Sequence, residues 1–405
     1  MDIQRRFEHA RLVKAKYDNF VDFAYDGMAF LGFEATRMQI MMARELHLSP
    51  DRFMIQAPRG EGKSLITAFY AIHTLIQDPT SIILIVSGFA DKAEEIAKLI
   101  YQIVMQWDIL AYLRPDTSKK DLNSAGKFDV HWALKGISMS PSVTCLGITS
   151  SLVGKRANLL ISDDVETIHN AATSAQRDKL ERLTQEFSAI VTHGKVVYLG
   201  TPQTKDSIYN RLPSKGFKVC VFTARYPTLE QQDKYGDTLA SYIVEDLDRV
   251  GDTLRTGGGI DGTMGLPVDP KRYTEEDLIE KEIEWGSEGF ALQYMLDTEL
   301  SDAVRQQLKL SDLIVANFSR DRVPEKIDWG LIQQNQVRLP DGFGSLESKL
   351  YHGVIPNCDW ADACKERVYC YIDPAGKQPL PALNSLNSVE LLLGQYRAKP
   401  LMGNV

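Results

Sequence analysis

The sequence has few cysteines, no long apolar run and no excess of positive charge. Its 405 residues include five cysteines, an odd and sparse set that is typical of a reducing compartment. The spacing of Cys358, Cys364 and Cys370 is not a common zinc pattern, so we interpret these thiols as structural or incidental. The longest aliphatic run, at residues 82–86, is far too short to span a bilayer, and charges occupy the place of a secretory apolar segment. We therefore expect no membrane span and no signal peptide.

The charge balance excludes a protein that coats nucleic acid through a wholly basic surface. Lys and Arg number 46 and Asp and Glu number 54, which gives a net charge of −8. A local basic face remains compatible with this balance. Hydrophobic residues make up 44% and charged residues 25%, as in ordinary globular proteins. At about 150 residues per domain, the length predicts roughly two to three domains.

Short apolar runs alternate with helical patterns through the first half of the chain. The runs predict strands at residues 52–57, 81–87, 143–148, 158–162, 195–200 and 217–223. Apolar residues at helical spacing lie between them, for example over residues 65–76 and 93–104. This alternation predicts an α/β fold with a mostly parallel sheet flanked by helices.

A glycine-rich loop lies between the first predicted strand and the helix that follows it. This context is typical of a phosphate-binding loop, in which Lys63 reaches the β- and γ-phosphates and Ser64 ligates Mg²⁺. The usual first glycine is replaced by Ala57, so the match is not strict. The alternative is a glycine-rich turn with an incidental lysine. The residues predicted to bind the nucleotide here are Ala57, Pro58, Arg59, Gly60, Glu61, Gly62, Lys63 and Ser64.

Two further side chains are candidates for contacts with the same nucleotide. Arg59, inside the loop, is expected to act at the γ-phosphate, or alternatively to pair with Glu61 or with solvent. Gln39, upstream of the loop, is a candidate reader of the adenine edge, although glutamine is also common on exposed helix faces.

The strand at residues 158–162 ends in carboxylates. In phosphate-loop ATPases such a strand supplies the Asp that holds Mg²⁺, and Asp163 is the candidate for that role. Asp164 or Glu166 is expected to orient the attacking water, and the sequence leaves the choice open. The alternative is a solvated acidic turn after a core strand.

Two other motifs flank this acidic strand end. Arg156 precedes the strand and is a candidate arginine finger inserted into a neighbouring subunit, or alternatively a DNA or structural contact. Thr201 and Gln203 follow the next strand, at the sheet edge where ligands bind in open α/β folds. They are expected to sense the γ-phosphate, unless the segment is simply a proline-containing turn.

Taken in this order, the motifs resemble those of the large terminase subunits of tailed phages, most closely the DNA maturase B type of short-tailed phages. The resemblance is carried by residues 58–67, 154–166, 185–191 and 198–204. It implies a P-loop NTPase of the ASCE type followed by the start of a ribonuclease-H-like α/β nuclease domain. It further implies an ATPase that uses ATP and Mg²⁺ to translocate double-stranded viral DNA through the portal into the procapsid.

The resemblance also implies partners and a place of action. The expected partners are double-stranded DNA, the portal protein of the procapsid and the small terminase subunit. The chain would work as a homo-oligomeric ring, typically a pentamer, on the portal. We expect it in the host cytoplasm and, during packaging, at the portal vertex, with no membrane involved.

The nuclease implied by the resemblance is incomplete in this sequence. Residues 372–376 are similar to the family's first acidic motif, which makes Asp373 a ligand of Mg²⁺ or Mn²⁺. Beyond them, Glu390 is the only acidic residue in 378–405, so the later acidic motifs are absent. A single Asp cannot hold the two metal ions of such a site, so we expect no DNA cleavage by this chain alone.

Four segments follow from these assignments. Residues 1–50 are predicted to be a helical region with the adenine-side segment, and residues 51–225 the P-loop ATPase core. Residues 226–345 would form a linker or lid subdomain, and residues 346–405 the incomplete nuclease domain.

Two other functions remain open at this point. A different P-loop DNA translocase or helicase-like ATPase would separate the strands of a duplex without any capsid. An inactive truncated remnant would occupy the portal without hydrolysing ATP. The motor interpretation requires that Lys63 and Asp163 lie close enough to share one nucleotide.

Overall fold

Eight strands form one sheet in this computed structural model, which describes residues 1–298 except 125, 153 and 205, and residues 326–328 and 352–354. The strands of the sheet are β1 (Arg52–Gln56), β2 (Ile83–Ser87), β3 (Asn123–Ser124), β4 (Lys127–Phe128), β5 (Val143–Gly147), β6 (Leu159–Asp163), β7 (Lys195–Gly200) and β8 (Lys218–Val221). All six predicted strands are present, and their ends differ from the prediction by at most two residues.

The order of the strands confirms the predicted fold class. The sheet runs β3-β4-β5-β2-β6-β7-β1-β8, and every neighbouring pair from β5 to β8 is parallel. The short β3 and β4 pair in an antiparallel manner at one edge. Because β7 lies between β1 and β6, the sheet has the arrangement that defines the ASCE division of P-loop NTPases.

Helices cover both faces of this sheet, and a further set follows it. They are α1 (Ile3–Lys16), α2 (Phe20–Phe30), α3 (Arg37–Leu48), α4 (Lys63–Gln77), α5 (Ala90–Gln106), α6 (Trp132–Lys135), α7 (Ile168–Ala171), α8 (Ser174–Ile190), α9 (Leu229–Tyr235), α10 (Ser241–Val250) and α11 (Glu275–Phe290). α11 is kinked at Gly286 and continues into a π-helical turn at Ala291–Met295.

The two faces of the sheet bury two separate apolar cores. Successive strand side chains point to opposite faces, so Phe53 and Ile55 of β1 join one core and Met54 joins the other. The first core also contains the apolar sides of α1 to α5, whereas Phe187 of α8 packs in the second. Burial on both faces explains why the central strands are continuous aliphatic runs.

The register of the parallel strands brings their carboxyl ends to one edge of the sheet. Gln56 at the end of β1 lies opposite Gly200 of β7, and Asp163 of β6 lies opposite Leu199. Ligands of open α/β sheets bind at this edge. The loop after β1, the acids after β6 and the segment after β7 are therefore neighbours in space.

The chain divides into two compact units, Met1–Ser301 and Asp302–Val405. In the second unit the described residues are two short antiparallel strands, β9 (Lys326–Asp328) and β10 (His352–Val354). Asp373 lies outside the described residues, and the division of the chain into four segments remains a prediction. In the described part, no helix combines the length and the apolar character needed to cross a membrane.

Candidate nucleotide-binding site

The loop at residues 57–62 joins the end of β1 to the start of α4, and two glycines determine its shape. Gly60 and Gly62 have φ angles of +88° and +82°, in the left-handed region where a side chain is strained. The first helical residue is Lys63, and Gly62 offers no side chain to cap the helix. The first turn of α4 therefore keeps its free N–H groups and positive dipole end for an anion.

The carbonyls of this loop accept hydrogen bonds, whereas most of its N–H groups donate none. The ammonium of Lys63 donates to the carbonyls of Ala57 and Pro58, at 3.0 and 2.9 Å. The carbonyls of residues 59–61 each accept a hydrogen bond from a side chain outside the loop. Within the described chain, the N–H groups of residues 60–64 have no hydrogen-bond acceptor. A run of unpaired N–H groups in a concave loop is an anion-binding arrangement and fits a phosphate chain.

Lys63 connects the loop to the end of β7. Its side chain is buried, and its Nζ lies 3.1 Å from the hydroxyl of Thr201 in addition to the two loop carbonyls. The same Thr201 hydroxyl donates to the carbonyl of Ala57 at 3.1 Å. The predicted γ-phosphate sensor thus lies beside the predicted phosphate-binding lysine.

Asp163 is fully buried at the end of β6 and faces the first turns of α4. Its carboxylate accepts hydrogen bonds from the hydroxyls of Ser64, at 2.7 Å, and Thr67, at 3.2 Å. Burial, and to a lesser extent the charge of the neighbouring Asp164, raises the pKa of Asp163 above its ordinary value. Since Ser64 follows Lys63 directly, the predicted metal ligands and the predicted phosphate-binding lysine lie in one site.

The residues at this position fit a bound Mg²⁺. A hydroxyl and a carboxylate are the two oxygen ligands that P-loop proteins supply, and phosphate and water oxygens complete the shell. The carboxylate of Asp163 is buried with only two hydroxyl donors, so a cation there would offset the cost of burying its charge. No group of three or more His, Cys, Asp or Glu forms a metal site elsewhere among the described residues.

Asp164 and Glu166, the two candidates for orienting water, have different surroundings. Asp164 is half-buried, adopts a left-handed backbone conformation with φ of +45°, and its carboxylate accepts no hydrogen bond from the described residues. Glu166 is buried, and its two oxygens accept hydrogen bonds from Gln203 N (2.8 Å), Ser207 Oγ (2.7 Å) and Ile208 N (2.9 Å). Burial raises the pKa of Glu166 against the opposing effect of these donors. The geometry favours Asp164 as the group that faces water and Glu166 as a support for the segment after β7.

A cavity of about 310 Å³ opens beside the loop at the carboxyl edge of the sheet, in the lower size range of small-molecule sites. It is lined by Arg59, Gly60, Lys63, Phe89, Asp164, Glu166, Thr167, Ile168, His169, Thr201, Gln203 and Gln293. Seven of the predicted site residues, Arg59, Gly60, Lys63, Asp164, Glu166, Thr201 and Gln203, therefore line one concave surface. Phe89, Ile168 and His169 were not predicted, because none of them belongs to a recognisable motif.

Arg59 lines this cavity without contacting Glu61. Its guanidinium lies 5.3 Å from the ring centroid of Trp285, in a cation–π contact. The carboxylate of Glu61 is buried and has no hydrogen-bond partner in the described part of the chain. Burial is the main cause that raises the pKa of Glu61 to about 8, and the nearby charge of Asp269 adds to it. Pairing of Arg59 with Glu61, one alternative from the sequence, is therefore not seen.

The remaining predicted residues differ in their relation to the loop. Gln39 lies beside it: its Oε1 accepts from Thr36 N at 3.1 Å, and its Nε2 donates to the carbonyl of Glu61 at 3.3 Å. Its role at adenine stays a prediction. Arg156 is exposed, donates to the carbonyl of Lys155 at 3.0 Å, and does not line the cavity. Its role as a finger toward another subunit also stays a prediction.

Gln203 connects the segment after β7 to the π-helical turn that follows α11. Its Nε2 donates to the carbonyl of Thr201 at 3.0 Å, and its Oε1 accepts from Gln293 Nε2 at 3.4 Å. The carbonyl of Gln293 in turn accepts from the N–H of Arg59 at 3.2 Å. Gln293, in the π-helical turn, thus contacts both the phosphate loop and the predicted sensor.

Besides Gln293, sequence reasoning missed two residues whose side chains contact the loop from more than 200 positions away. Arg272 donates to the carbonyl of Gly60 through Nε (3.1 Å) and a terminal nitrogen (2.6 Å), and the hydroxyl of Tyr273 donates to the carbonyl of Arg59 at 2.9 Å. No motif marks either residue. The one local signal is that they immediately precede the capping box of α11, which begins at Thr274.

Comparison with known proteins identifies relatives. The large terminase subunit of Enterobacteria phage T3 is 36% identical over 350 residues, which are 84% of this chain and 57% of that protein. The chain thus spans little more than half the length of that relative. A mutant ATPase domain of the Thermus phage P74-26 large terminase matches 44% of this chain and 69% of its own, at 15% identity and a TM-score of 0.27. No model of a known protein family matches. The fold assignment therefore rests on the strand order described above.

Proposed function

We propose that the chain, which is 36% identical over 350 residues to the large terminase subunit of phage T3, belongs to the large terminase subunits of tailed phages and hydrolyses ATP to drive double-stranded viral DNA into the procapsid through the portal. The observation that carries this proposal is the shared site of the loop lysine and the acidic strand end. Lys63 contacts the loop and Thr201, while its neighbour Ser64 contacts Asp163. This is the arrangement that an ATPase of this class requires.

In the proposed mechanism the loop binds the phosphates and Lys63 neutralises their charge. The free N–H groups of residues 60–64 would surround the phosphate oxygens. The ammonium of Lys63 would release the two loop carbonyls that it now contacts and bind phosphate oxygens instead. Ser64 and Asp163 would hold Mg²⁺, which supplies positive charge at the β- and γ-phosphates. Gln39 would either contact the adenine side of the nucleotide or support the loop through the carbonyl of Glu61.

The hydrolytic step needs a group that orients water and a cation near the γ-phosphate. We assign the first role to Asp164, because it is a half-buried residue of the cavity whose carboxylate has no donor among the described residues, whereas both oxygens of Glu166 accept hydrogen bonds from protein donors. We assign the second role to Arg59, which lines the same cavity. Arg156, exposed and away from the cavity, would act on the site of a neighbouring subunit.

The segment after β7 would couple hydrolysis to movement. Thr201 lies beside Lys63, and Gln203 contacts both Glu166 and Gln293. A change at the γ-phosphate would therefore be transmitted from Thr201 to the chain that follows residue 293. Such a contact path is a structural basis for coupling, and its operation is part of the proposal.

The proposal extends to the partners of the protein. They are double-stranded DNA, the portal protein and the small terminase subunit, and the chain would form a ring, pentameric in the proposed assembly. It would be found in the host cytoplasm and at the portal vertex during packaging. We further propose that Asp373, outside the described residues, is one ligand of a ribonuclease-H-like site for Mg²⁺ or Mn²⁺.

Packaging in vitro tests this function directly. Purified chain is combined with the matched procapsid, the small subunit, DNA and MgATP, and the DNA protected from added nuclease is measured. We expect protection with the wild-type chain and none with Lys63→Ala, because the loop then lacks its phosphate-binding charge. Exposed Lys98→Ala on α5 is the matched control and should package normally.

The same preparation separates the alternatives. Strand separation of a duplex without a capsid, together with no response to procapsids, would favour a helicase-like ATPase. Equal ATP hydrolysis by wild type and Lys63→Ala would mean that the activity is a contaminant, and an inactive remnant would then be the better description.

A further inference from the structure

Three side chains from outside the phosphate loop each bind one of three consecutive loop carbonyls. Tyr273 Oη donates to the carbonyl of Arg59 at 2.9 Å, and Arg272 donates to that of Gly60 at 3.1 and 2.6 Å. Gln39 Nε2 donates to the carbonyl of Glu61 at 3.3 Å. We call Gln39, Arg272 and Tyr273 the outer brace. Gln39 is also a candidate contact of adenine, whereas Arg272 and Tyr273 belong to no motif that the sequence indicates.

A turn at residues 269–273 joins the members of the outer brace into one unit. The N–H groups of Arg272 and Tyr273 both donate to the carbonyl of Asp269, at 3.0 Å each. The buried carboxylate of Asp269 accepts from the N–H of Met38, also at 3.0 Å. Met38 precedes Gln39 at the start of α3, so the start of this helix and the turn are held together.

The geometry of a peptide explains what the outer brace does. In a trans peptide the carbonyl and the N–H point in opposite directions, so a donor that holds one carbonyl outward directs the next residue's N–H inward. The carbonyls of residues 59–61 therefore set the directions of the N–H groups of residues 60–62. These are three of the N–H groups that have no acceptor in the described chain.

Without such donors this loop would lose its orientation easily. Gly60 and Gly62 allow their peptides to rotate at little steric cost, and a rotated peptide would present a carbonyl oxygen to a phosphate oxygen. We propose that Arg272 and Tyr273 are positioning residues that pre-orient the phosphate-binding N–H groups. This inference rests on the proposed function, since it requires a nucleotide phosphate at the loop.

Binding of MgADP and hydrolysis of MgATP by single variants of the full chain test the inference. Tyr273→Phe removes one donor and should raise the Kd for MgADP about five-fold, and Arg272→Ala should raise it roughly ten-fold. The KM for MgATP should rise similarly, while kcat at saturation stays within about two-fold, because the reacting groups are unchanged. Calorimetric titration gives Kd and the fraction of binding-competent chains separately.

Three controls accompany these variants. Tyr25→Phe removes an exposed phenol on α2, and Lys271→Ala removes an exposed positive charge, paired with Glu34, next to Arg272. Both should leave the Kd for MgADP unchanged, and Arg272→Lys should recover only part of the affinity because Lys lacks the two-nitrogen contact. A merely structural role would lower the binding-competent fraction and the melting temperature without changing Kd, and that result would overturn the inference.

The remaining outcomes separate this inference from the function on which it rests. If Arg272→Ala and Tyr273→Phe bind MgADP with the wild-type Kd while Lys63→Ala loses binding, the positioning role is overturned. The proposed ATPase function would then still stand. Wild-type chain that binds neither MgADP nor MgATP would overturn both.

Discussion

The hydroxyl of Ser64 donates a 2.7 Å hydrogen bond to the carboxylate of Asp163, although the two residues lie 99 positions apart. The contact joins the first turn of α4 to the end of β6 across the intervening strand β7. Both groups are oxygen ligands of the kind that Mg²⁺ prefers. The contact is therefore the part of the site that should determine metal dependence.

Ser64→Ala should weaken nucleotide binding only when Mg²⁺ is present. We expect the Kd for MgATP to rise roughly ten-fold, because the metal loses a ligand, while the Kd for ATP in EDTA stays within about two-fold. Titration with and without EDTA measures both values. Ser188→Ala, an exposed serine on α8, is the control. An equal loss in both conditions would contradict a metal-ligand role for Ser64.

The two acids after β6 should respond differently to loss of charge. Asp164→Asn should lower kcat for ATP about a hundred-fold or more with little change in KM or melting temperature, since this residue lines the cavity and its carboxylate has no donor among the described residues. Glu166→Gln should lower the melting temperature, because its oxygens hold Gln203 N, Ser207 Oγ and Ile208 N. Steady-state kinetics and calorimetry distinguish them, and the reverse pattern would exchange the assigned roles.

The selectivity for ATP over GTP can decide which of two roles Gln39 has. If it reads the adenine edge, Gln39→Ala should reduce the preference for ATP over GTP. If its main role is the contact with the carbonyl of Glu61, the variant should weaken both nucleotides by a similar factor, about five-fold. Competition titrations with MgATP and MgGTP give the ratio. We expect the uniform loss, because both ends of the Gln39 amide already contact the protein.

The strands could be predicted from the local hydrophobic pattern of the sequence. The proximity of the motifs could be predicted from one rule of sheet geometry. Buried parallel strands are continuous aliphatic runs, and their carboxyl ends share an edge. Lys63, Asp163 and Thr201 each end or follow such a strand, so their proximity could be inferred without coordinates.

The contacts that support the loop were not predictable in this way. Arg272 and Tyr273 approach it from the segment after the sheet, and nothing in the sequence near them specifies which surface they will meet. The surroundings of Glu166 are likewise a matter of tertiary packing: its three donors come from the segment after β7. A sequence motif identifies such an acid, but it does not show whether protein donors or water will form hydrogen bonds to its oxygens.

The next prediction concerns DNA cleavage and the acidic motif at residues 372–376. Purified chain should not cut plasmid DNA with Mg²⁺ or Mn²⁺, since Asp373 alone cannot hold two metal ions. Gel analysis of supercoiled plasmid after incubation with each metal measures this. Cleavage that disappears in Asp373→Ala would show that the site is complete after all.

The buried carboxyl of Glu61 should make stability depend on pH. Burial raises its pKa from 4.5 to about 8, so the folded chain retains a proton that the unfolded chain has released. The free energy of unfolding of the nucleotide-free chain should therefore fall as pH rises from 4.5 to about 8, by at most about 1.4 kcal/mol per pH unit from this group. Above that range its contribution should be constant.

Glu61→Gln isolates this effect, because the amide keeps the shape of the side chain and cannot ionise. Urea unfolding of wild type and variant at pH 6, 7 and 8 gives the difference in stability at each pH. We expect the variant to gain relative to wild type as pH rises through this range, whatever other groups titrate. Exposed Glu95→Gln on α5 should show no such trend. Parallel pH profiles for wild type and Glu61→Gln would mean that the carboxyl is already ionised and paired with a cation in solution.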